Sequence, residues 1–305
     1  MSHPEKDSPV AALSEKKLLD LARKRLERFA SLLPKTLIGD HPDNVHDLRV
    51  WSRRLQQIFK ILLPDPSTGK LRKLIRLPRR VRRALGDCRN LDVCNDLMQQ
   101  KIAATNSEIV RNAWREIQAE LRQRRDAELE RCRDELRRHD IIKFVTRAQA
   151  YMEGVRLEKT FAQTLKNSVE EARTRWHEAL AEALESQDAD QIHALRIAGK
   201  RLRYRAELLA DLGHAPAKSL VRLLKVLQDE LGFWNDSQVL LRLMAEFIGH
   251  ADFLVRHPDY ARVLLTEMEK ERQRNESATA EILKSAEKVR EWRFPEEASG
   301  QEPAS

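Results

Sequence analysis

The sequence contains few of the residues that make tight turns, with 9 Gly and 11 Pro among 305 residues. Together these two types reach about half of their usual share of roughly 12%. Aromatic residues contribute only 5%, whereas charged residues contribute 34%. Sandwiches and barrels need turn signals about every 8 to 12 residues, so an all-β protein is excluded. We therefore expect an all-α protein.

Cysteine is also scarce, because the chain has only Cys88, Cys94 and Cys132. An odd number without a Cys-x-x-Cys pair supports neither a disulfide framework nor a thiolate zinc site. We expect no metal and no cofactor. Apolar runs fall short of the roughly 18 residues that span a bilayer, and the polar start has no signal-peptide pattern. We therefore expect a cytoplasmic protein that does not bind membranes.

Positive charge is concentrated in two stretches of the chain. The net charge is +8. Residues 49–89 contain 13 Lys and Arg against 2 acids, and residues 193–225 contain 8 against 2. The rest of the chain is acidic overall. Such local basic charge is typical of a surface that binds anions.

A segment of the first basic stretch recurs in the second. Val45-His46-Asp47-Leu48-Arg49-Val50 returns as Ile192-His193-Ala194-Leu195-Arg196-Ile197, an offset of 147 residues. Leu85-Gly86 with Arg89-Asn90 likewise matches Leu231-Gly232 with Asn235-Asp236. This period is too long for a solenoid, so we predict two similar halves. The predicted segments are a flexible N-terminus (1–11), a first helical half (12–151), a second helical half (152–290) and a disordered tail (291–305).

Apolar spacing predicts amphipathic helices throughout both halves. On a wheel of 100° per residue, His46 and Arg53 share one face of their helix, and Leu48 and Leu55 lie opposite. The second copy follows the same pattern. Pro78 lies inside a predicted basic helix, where we expect a kink. The helices are predicted near 12–33, 43–63, 69–86, 90–104, 107–151, 157–185, 189–212, 216–231, 235–249 and 258–290.

The polar faces of the repeated helices carry almost only positive charge. A solvated face normally mixes signs, as residues 108–138 do with 9 basic and 8 acidic residues. Aligned like charges raise the energy of the folded state. Solubility alone therefore does not account for the same basic arc in both halves.

These motifs resemble the CHAD domain, the conserved histidine α-helical domain. Each half carries its His-x-x-Arg-x-x-x-[Lys/Arg]-[Arg/Lys]-Leu helix, followed by a Leu-Gly-x-x-[Arg/Asn]-[Asp/Asn] motif. The chain departs from the pattern at Asn90, where Asp is commoner, and at Pro78. The Glu-x-Glu-x-Lys signature of the triphosphatase that is fused to some members does not occur, which indicates a standalone member.

The resemblance implies two antiparallel helical bundles that are related by a pseudo-twofold axis around a basic groove. It implies that this groove binds inorganic polyphosphate, as a targeting or regulatory module that could associate with polyphosphate granules. Arg suits such a ligand because its planar fork bonds two phosphate oxygens and stays charged. The expected polyphosphate-binding residues are His46, Arg49, Arg53, Arg54, Lys60, Arg72, Lys73, Arg76, Arg79, Arg80, Arg83, Arg89, His193, Arg196, Lys200, Arg201, Arg203, Tyr204, Lys218, Arg222 and Lys225.

Two other functions remain as alternatives. A nucleic-acid-binding protein would interleave aromatic stacking residues with its cations, and these are scarce here. A phosphate-metabolising enzyme would need a metal or an activated nucleophile, and no such constellation stands out. We therefore do not expect an enzyme, and nucleic acid is an unlikely partner.

Several single residues have a structural interpretation beside the functional one. His46 and His193 either contact the ligand, which we favour, or pack between helices. Asn90 and Asp236 follow glycines and are predicted to cap the next helix. Trp51 and Trp234 are expected in the core.

Overall fold

The computed structural model describes residues 15–63, 66, 68–155 and 161–292. Every regular element within these ranges is a helix, as the sequence predicts. The predicted terminal segments lie outside the described residues, apart from Glu291 and Trp292. The helices are α1 (Glu15–Ile38), α2 (Pro42–Leu62), α3 (Gly69–Ala84), α4 (Gly86–Ala104), α5 (Glu108–Arg137), α6 (Ile141–Gly154), α7 (Phe161–Ser186), α8 (Ala189–Asp211), α9 (Ala217–Gly249), α10 (Ala251–Arg256) and α11 (Pro258–Glu291).

Helix α2, the first copy of the repeated helix, illustrates how local sequence sets these boundaries. His41 lies at the N-cap and accepts a hydrogen bond from the Asp43 backbone N–H, and Pro42 occupies the first turn. Both features favour a helix start. Leu48, Leu55 and other apolar side chains at helical spacing are buried. This buried stripe directs the opposite, basic face away from the core.

The helices pack in the same order in the two parts of the chain. Helix α1 packs on α2, α2 on α3, and α4 on α5; α7 likewise packs on α8, α8 on α9, and α9 on α11. A large core contains Phe29, Phe59 and Trp176. A smaller core, built around Trp114 and Phe247, joins α4 and α5 to α9 and α11. The repeated helices α2 and α8 contact one another directly.

The predicted break at residues 231–235 is wrong, because α9 runs uninterrupted from Ala217 to Gly249. Leu231 and Trp234 are buried and continue the apolar stripe of the helix across Gly232. Asp236 therefore lies inside a helix. Asn90 also lies inside a helix, since α4 begins at Gly86. The capping role predicted for Asn90 and Asp236 is wrong for this reason.

The long helix predicted over 107–151 is in fact two helices. Helix α5 ends at Arg137, and α6 starts after Asp140, whose carboxylate accepts a hydrogen bond from the Lys143 backbone N–H at 2.9 Å. No Gly or Pro marks this corner. The Asp N-cap was its only sequence signal.

Two helical glycines give matched tests of this packing. A Cβ at Gly199 would lie 2.9 Å from a ring carbon of Trp176 and 2.7 Å from Gln228 Nε2, whereas nothing lies within 4 Å at Gly232. We expect Gly199→Ala to lower the unfolding free energy by about 1 to 2 kcal/mol, because overpacking outweighs the gain in helix propensity. Gly232→Ala should raise it by up to about 1 kcal/mol. Chemical denaturation measures both, and a destabilised Gly232→Ala would contradict the continuous helix.

Candidate anion-binding site

A cavity of about 680 Å³ lies between the repeated helices α2 and α8, with further walls from α3, α4 and α7. We call it the central cavity. Among the residues that the structure describes, its lining includes nine Lys and Arg residues together with His193, and no Asp or Glu. The lining cations are Arg49, Arg53, Lys60, Arg82, Arg175, Arg196, Lys200, Arg201 and Arg205.

Neutral acceptors hold several of these cations in place. Arg49 Nη1 donates to the backbone carbonyl of Arg82 at 2.6 Å, and Arg82 Nη1 donates to Gln56 Oε1 at 2.8 Å. On the opposite wall, Arg205 Nε donates to Ser168 Oγ at 2.6 Å. Hydrogen bonds of this kind orient a guanidinium without neutralising it. The positive charge therefore remains available to a ligand.

Tyr204 links the two walls. Arg53 of α2 donates a short hydrogen bond to the Tyr204 hydroxyl of α8. The Arg53 guanidinium also lies 4.7 Å from the Tyr204 ring centroid, and the Arg203 guanidinium lies 5.0 Å from it. An aromatic face attracts cations. The Tyr204 ring therefore holds two guanidiniums near each other without neutralising their charge, whereas a carboxylate at the same place would neutralise it.

Burial, together with the crowding of cations, lowers the pKa values of several side chains in the central cavity. Burial, followed by repulsion from Arg196 and Arg53, lowers the pKa of Lys200 from 10.5 to about 7. Burial and neighbouring arginines also lower the pKa of Arg82 to about 10 and depress that of Lys60. A lowered pKa means that the surroundings destabilise the charged form of the side chain. An anionic ligand in the cavity would stabilise that form.

The comparisons with known proteins agree with this architecture. The family model of the CHAD domain matches residues 20–245 of the chain. The chain belongs to the CHAD-domain family. The crystal structure of the CHAD domain from the plant Ricinus communis aligns with a TM-score of 0.66, at 18% identity, over 95% of this chain and 94% of that one. At this identity the likeness supports the fold alone. No curated protein matches the sequence.

The two histidines that characterise the CHAD domain are both exposed, so neither is packed between helices. His193 lines the central cavity, whereas His46 does not. Partial burial, together with repulsion from Arg89 at His46 and from Arg196 at His193, lowers both pKa values below 6.5.

The structure brings eight of the predicted residues to the central cavity. The other predicted residues lie outside the lining of the central cavity. Several of them belong to α3, whose basic face is wider than one wall of the cavity. Of these, Lys73, Arg76 and Arg80 line a second cavity on the far side of α3. The eight are Arg49, Arg53, Lys60, His193, Arg196, Lys200, Arg201 and Tyr204.

Other predicted cations lie near the central cavity or away from it. Arg79 is close enough to Lys60 to lower its pKa, and Arg89 does the same to Arg49. Arg203 lies 3.5 Å from Glu207, and Arg54 lies over the ring of Trp51. The predicted residues that line neither cavity are His46, Arg54, Arg72, Arg79, Arg83, Arg89, Arg203, Lys218, Arg222 and Lys225.

The two tryptophans expected in the core differ. Trp234 is buried and its indole N–H donates to Thr279 Oγ1 at 3.2 Å, which confirms the expectation. Trp51 is only partly buried at the edge of the large core, beneath Arg54.

Sequence reasoning missed three cations of the central cavity, which are Arg82, Arg175 and Arg205. Arg82 lies about 280° around α3 from Arg72, outside the arc that the other arginines define. Arg175 lies in α7, which precedes the repeated motif and carries no signature of its own. Arg82 could nevertheless have been considered from the sequence, because it belongs to the same strongly basic helix as the predicted arginines.

In the described part of the chain, no group of three or more His, Cys, Asp or Glu residues could hold a metal ion. The three cysteines are free and buried. Among the described helices, none combines the length and the apolar character that a bilayer span requires.

Proposed function

We propose that this CHAD domain binds inorganic polyphosphate in the central cavity and acts as a targeting or regulatory module. The observation that carries the proposal is a cavity whose described lining has nine Lys and Arg residues and no carboxylate. These cations come from both repeated helices and from α3 and α7. A long anion that enters would contact both halves of the domain at once.

The chemistry of the lining suits a polymer of phosphates. Polyphosphate offers charge and oxygen acceptors but no bases to read, so a dense array of donors is sufficient to bind it. Several of the cations are already oriented by neutral acceptors such as Gln56 and Ser168. Pre-oriented groups lose less entropy when a ligand binds.

The same lining supports binding rather than catalysis. In the part of the lining that the structure describes, the central cavity presents neither a carboxylate nor a thiol. In this proposal the domain holds polyphosphate without hydrolysing it. In a cell, such binding would place the domain on polyphosphate granules in the cytoplasm.

Nucleic acid is the alternative ligand, and Tyr204 argues against it. Single-stranded nucleic acid binds on free aromatic faces between cations. Among the described lining residues, Tyr204 is the one Phe, Tyr or Trp, and Arg53 and Arg203 already lie against its ring. A base would have to displace one of these guanidiniums before it could stack.

Competition between polyanions tests the proposal. At physiological salt, we expect a chain of about 100 phosphates to displace labelled DNA and RNA, whereas an equal charge concentration of either nucleic acid should not displace labelled polyphosphate. Tripolyphosphate should bind at least about a hundredfold more weakly, because it engages few of the cations. Fluorescence anisotropy measures all of these. Tighter binding of DNA than of polyphosphate would overturn the proposal.

A further inference from the structure

A second basic cavity, of about 850 Å³, lies on the far side of α3, against the corner between α5 and α6. Leu77 of α3 and Phe144 of α6 are among its apolar lining residues. It has no wall in common with the central cavity other than α3 itself. Its cations are Lys70, Lys73, Arg76, Arg80, Arg138, Lys143 and Arg147.

Most of this charge is not neutralised by the described residues. Arg138 forms an ion pair with Glu135 at 3.0 Å. Asp140, the one carboxylate in the described part of the lining, caps α6. Within the described ranges, the remaining six cations form no ion pair. An excess of this size in a concave surface makes binding of an anion favourable.

His139 adds a polar group that lacks a hydrogen bond. Its side chain is 14% exposed, and its Nε2 atom is buried without a hydrogen-bond partner among the described residues. The nearest carboxylate oxygen, from Glu135, is 3.8 Å away. Burial and the nearby Arg80 lower the pKa of His139. A phosphate group bound among the nearby cations would offset the repulsion between His139 and Arg80.

Helix α3 contributes cations to both cavities. Arg82 lines the central cavity and Arg79 lies near Lys60 at its edge. Arg76 and Arg80 of the same helix line the second cavity. A flexible chain that leaves the central cavity would meet cations of α3 on its way to the second one.

We propose that the second cavity binds a further stretch of the polyphosphate chain that the central cavity holds. The proposal rests on the proposed function, since it requires that polyphosphate is the ligand. It makes the footprint of one domain on the chain longer than the central cavity alone would give. It also accounts for the abundance of arginine on both flanks of α3.

The test neutralises the second cavity with Lys73→Gln, Arg76→Gln and Lys143→Gln in one variant. The matched control carries Lys24→Gln, Arg122→Gln and Lys288→Gln, which removes the same charge from exposed positions outside both cavities. Calorimetry with a chain of about 100 phosphates gives the affinity and the number of phosphates covered per domain. We expect the second-cavity variant to bind about 30-fold or more weakly than the control and to cover fewer phosphates.

Each other outcome has a definite meaning. If the second-cavity variant matches the control in affinity and footprint while the wild type binds polyphosphate, the second cavity is not a polyphosphate site. If the variant loses DNA binding alone, the cavity is a nucleic-acid site and the proposal is wrong. If the wild type fails to bind polyphosphate, the proposed function fails as well. A charge-conserving variant, Lys73→Arg with Lys143→Arg, should cover as many phosphates per domain as the wild type does.

Discussion

Replacing Lys60, Lys200 and Arg201 together with Gln should weaken binding of long-chain polyphosphate by about a thousandfold. Each lost contact is a charge-assisted hydrogen bond worth about 1.5 to 3 kcal/mol, or roughly tenfold or more in affinity. The slope of log affinity against log salt should also fall by about 2, since fewer counterions are released.

The same variant should melt at an unchanged or higher temperature in the absence of ligand. The three side chains repel one another or their neighbours: Lys60 lies near Arg201, and Lys200 near Arg196. Removing them relieves that repulsion. Weaker binding together with undiminished stability separates a ligand-binding role from a structural one.

The Lys24, Arg122 and Lys288 variant is again the matched control, because it loses the same net charge. It should bind within a few-fold of the wild type. Equal losses in the two variants would mean that overall charge, rather than the central cavity, governs binding.

Affinity for polyphosphate should fall by up to about tenfold per pH unit between pH 7 and about 9. The free domain holds Lys200 at a pKa of about 7, below its ordinary 10.5. A bound polyanion favours the ammonium form and raises this pKa. Binding above pH 7 therefore takes up a proton, and each further pH unit makes that uptake more costly.

Stability of the free domain should change in the opposite direction. Between the folded pKa of about 7 and the unfolded value near 10.5, the unfolded chain binds more protons at Lys200 than the folded chain does. The free energy of unfolding therefore gains a contribution as pH rises through this window. Lys60, whose pKa is also lowered, adds to the same trend.

Calorimetry in two buffers of different ionisation enthalpy measures the proton uptake directly. Lys200→Arg keeps a permanent charge and should bind with a much flatter pH profile. Lys200→Gln should flatten the profile and lower the affinity. A wild-type pH profile in the Lys200→Arg variant would show that another group takes up the proton.

Much of the fold could be predicted because the spacing of apolar residues within a helix shows which of its faces is buried. The faces of α2 and α8 followed from the spacing of Leu48, Leu55, Leu195 and Leu202, all of which are buried. A repeated motif with the same charges in both copies then identified Arg49, Arg53, Arg196 and Lys200 as lining residues. These are properties of single helices and of their duplication.

The rest depended on how helices pack against one another. The pattern of α3 gives one broad basic arc but does not say that α2 lies on one flank and α6 on the other. Arg82 was therefore missed, and the position of Lys73, Arg76 and Arg80 on a second cavity could not be predicted. At Gly232 the apolar contacts of Leu231 and Trp234 outweigh the cost of a helical glycine, which is only about 1 kcal/mol.

Because α9 is continuous, we expect a movement to be transmitted differently through the two parts of the domain. In the first part, the matching stretch is divided at Leu85 into α3 and α4, whereas α9 is a single rod of 33 residues, about 50 Å long. This rod is rooted in the large core through Leu224 and in the small core through Met244. We expect a tilt of α9 at the small core to be transmitted along the whole helix to α8, which packs on α9 and forms one wall of the central cavity. We expect no such direct transmission from α4 to α3, because the chain is divided between them at Leu85.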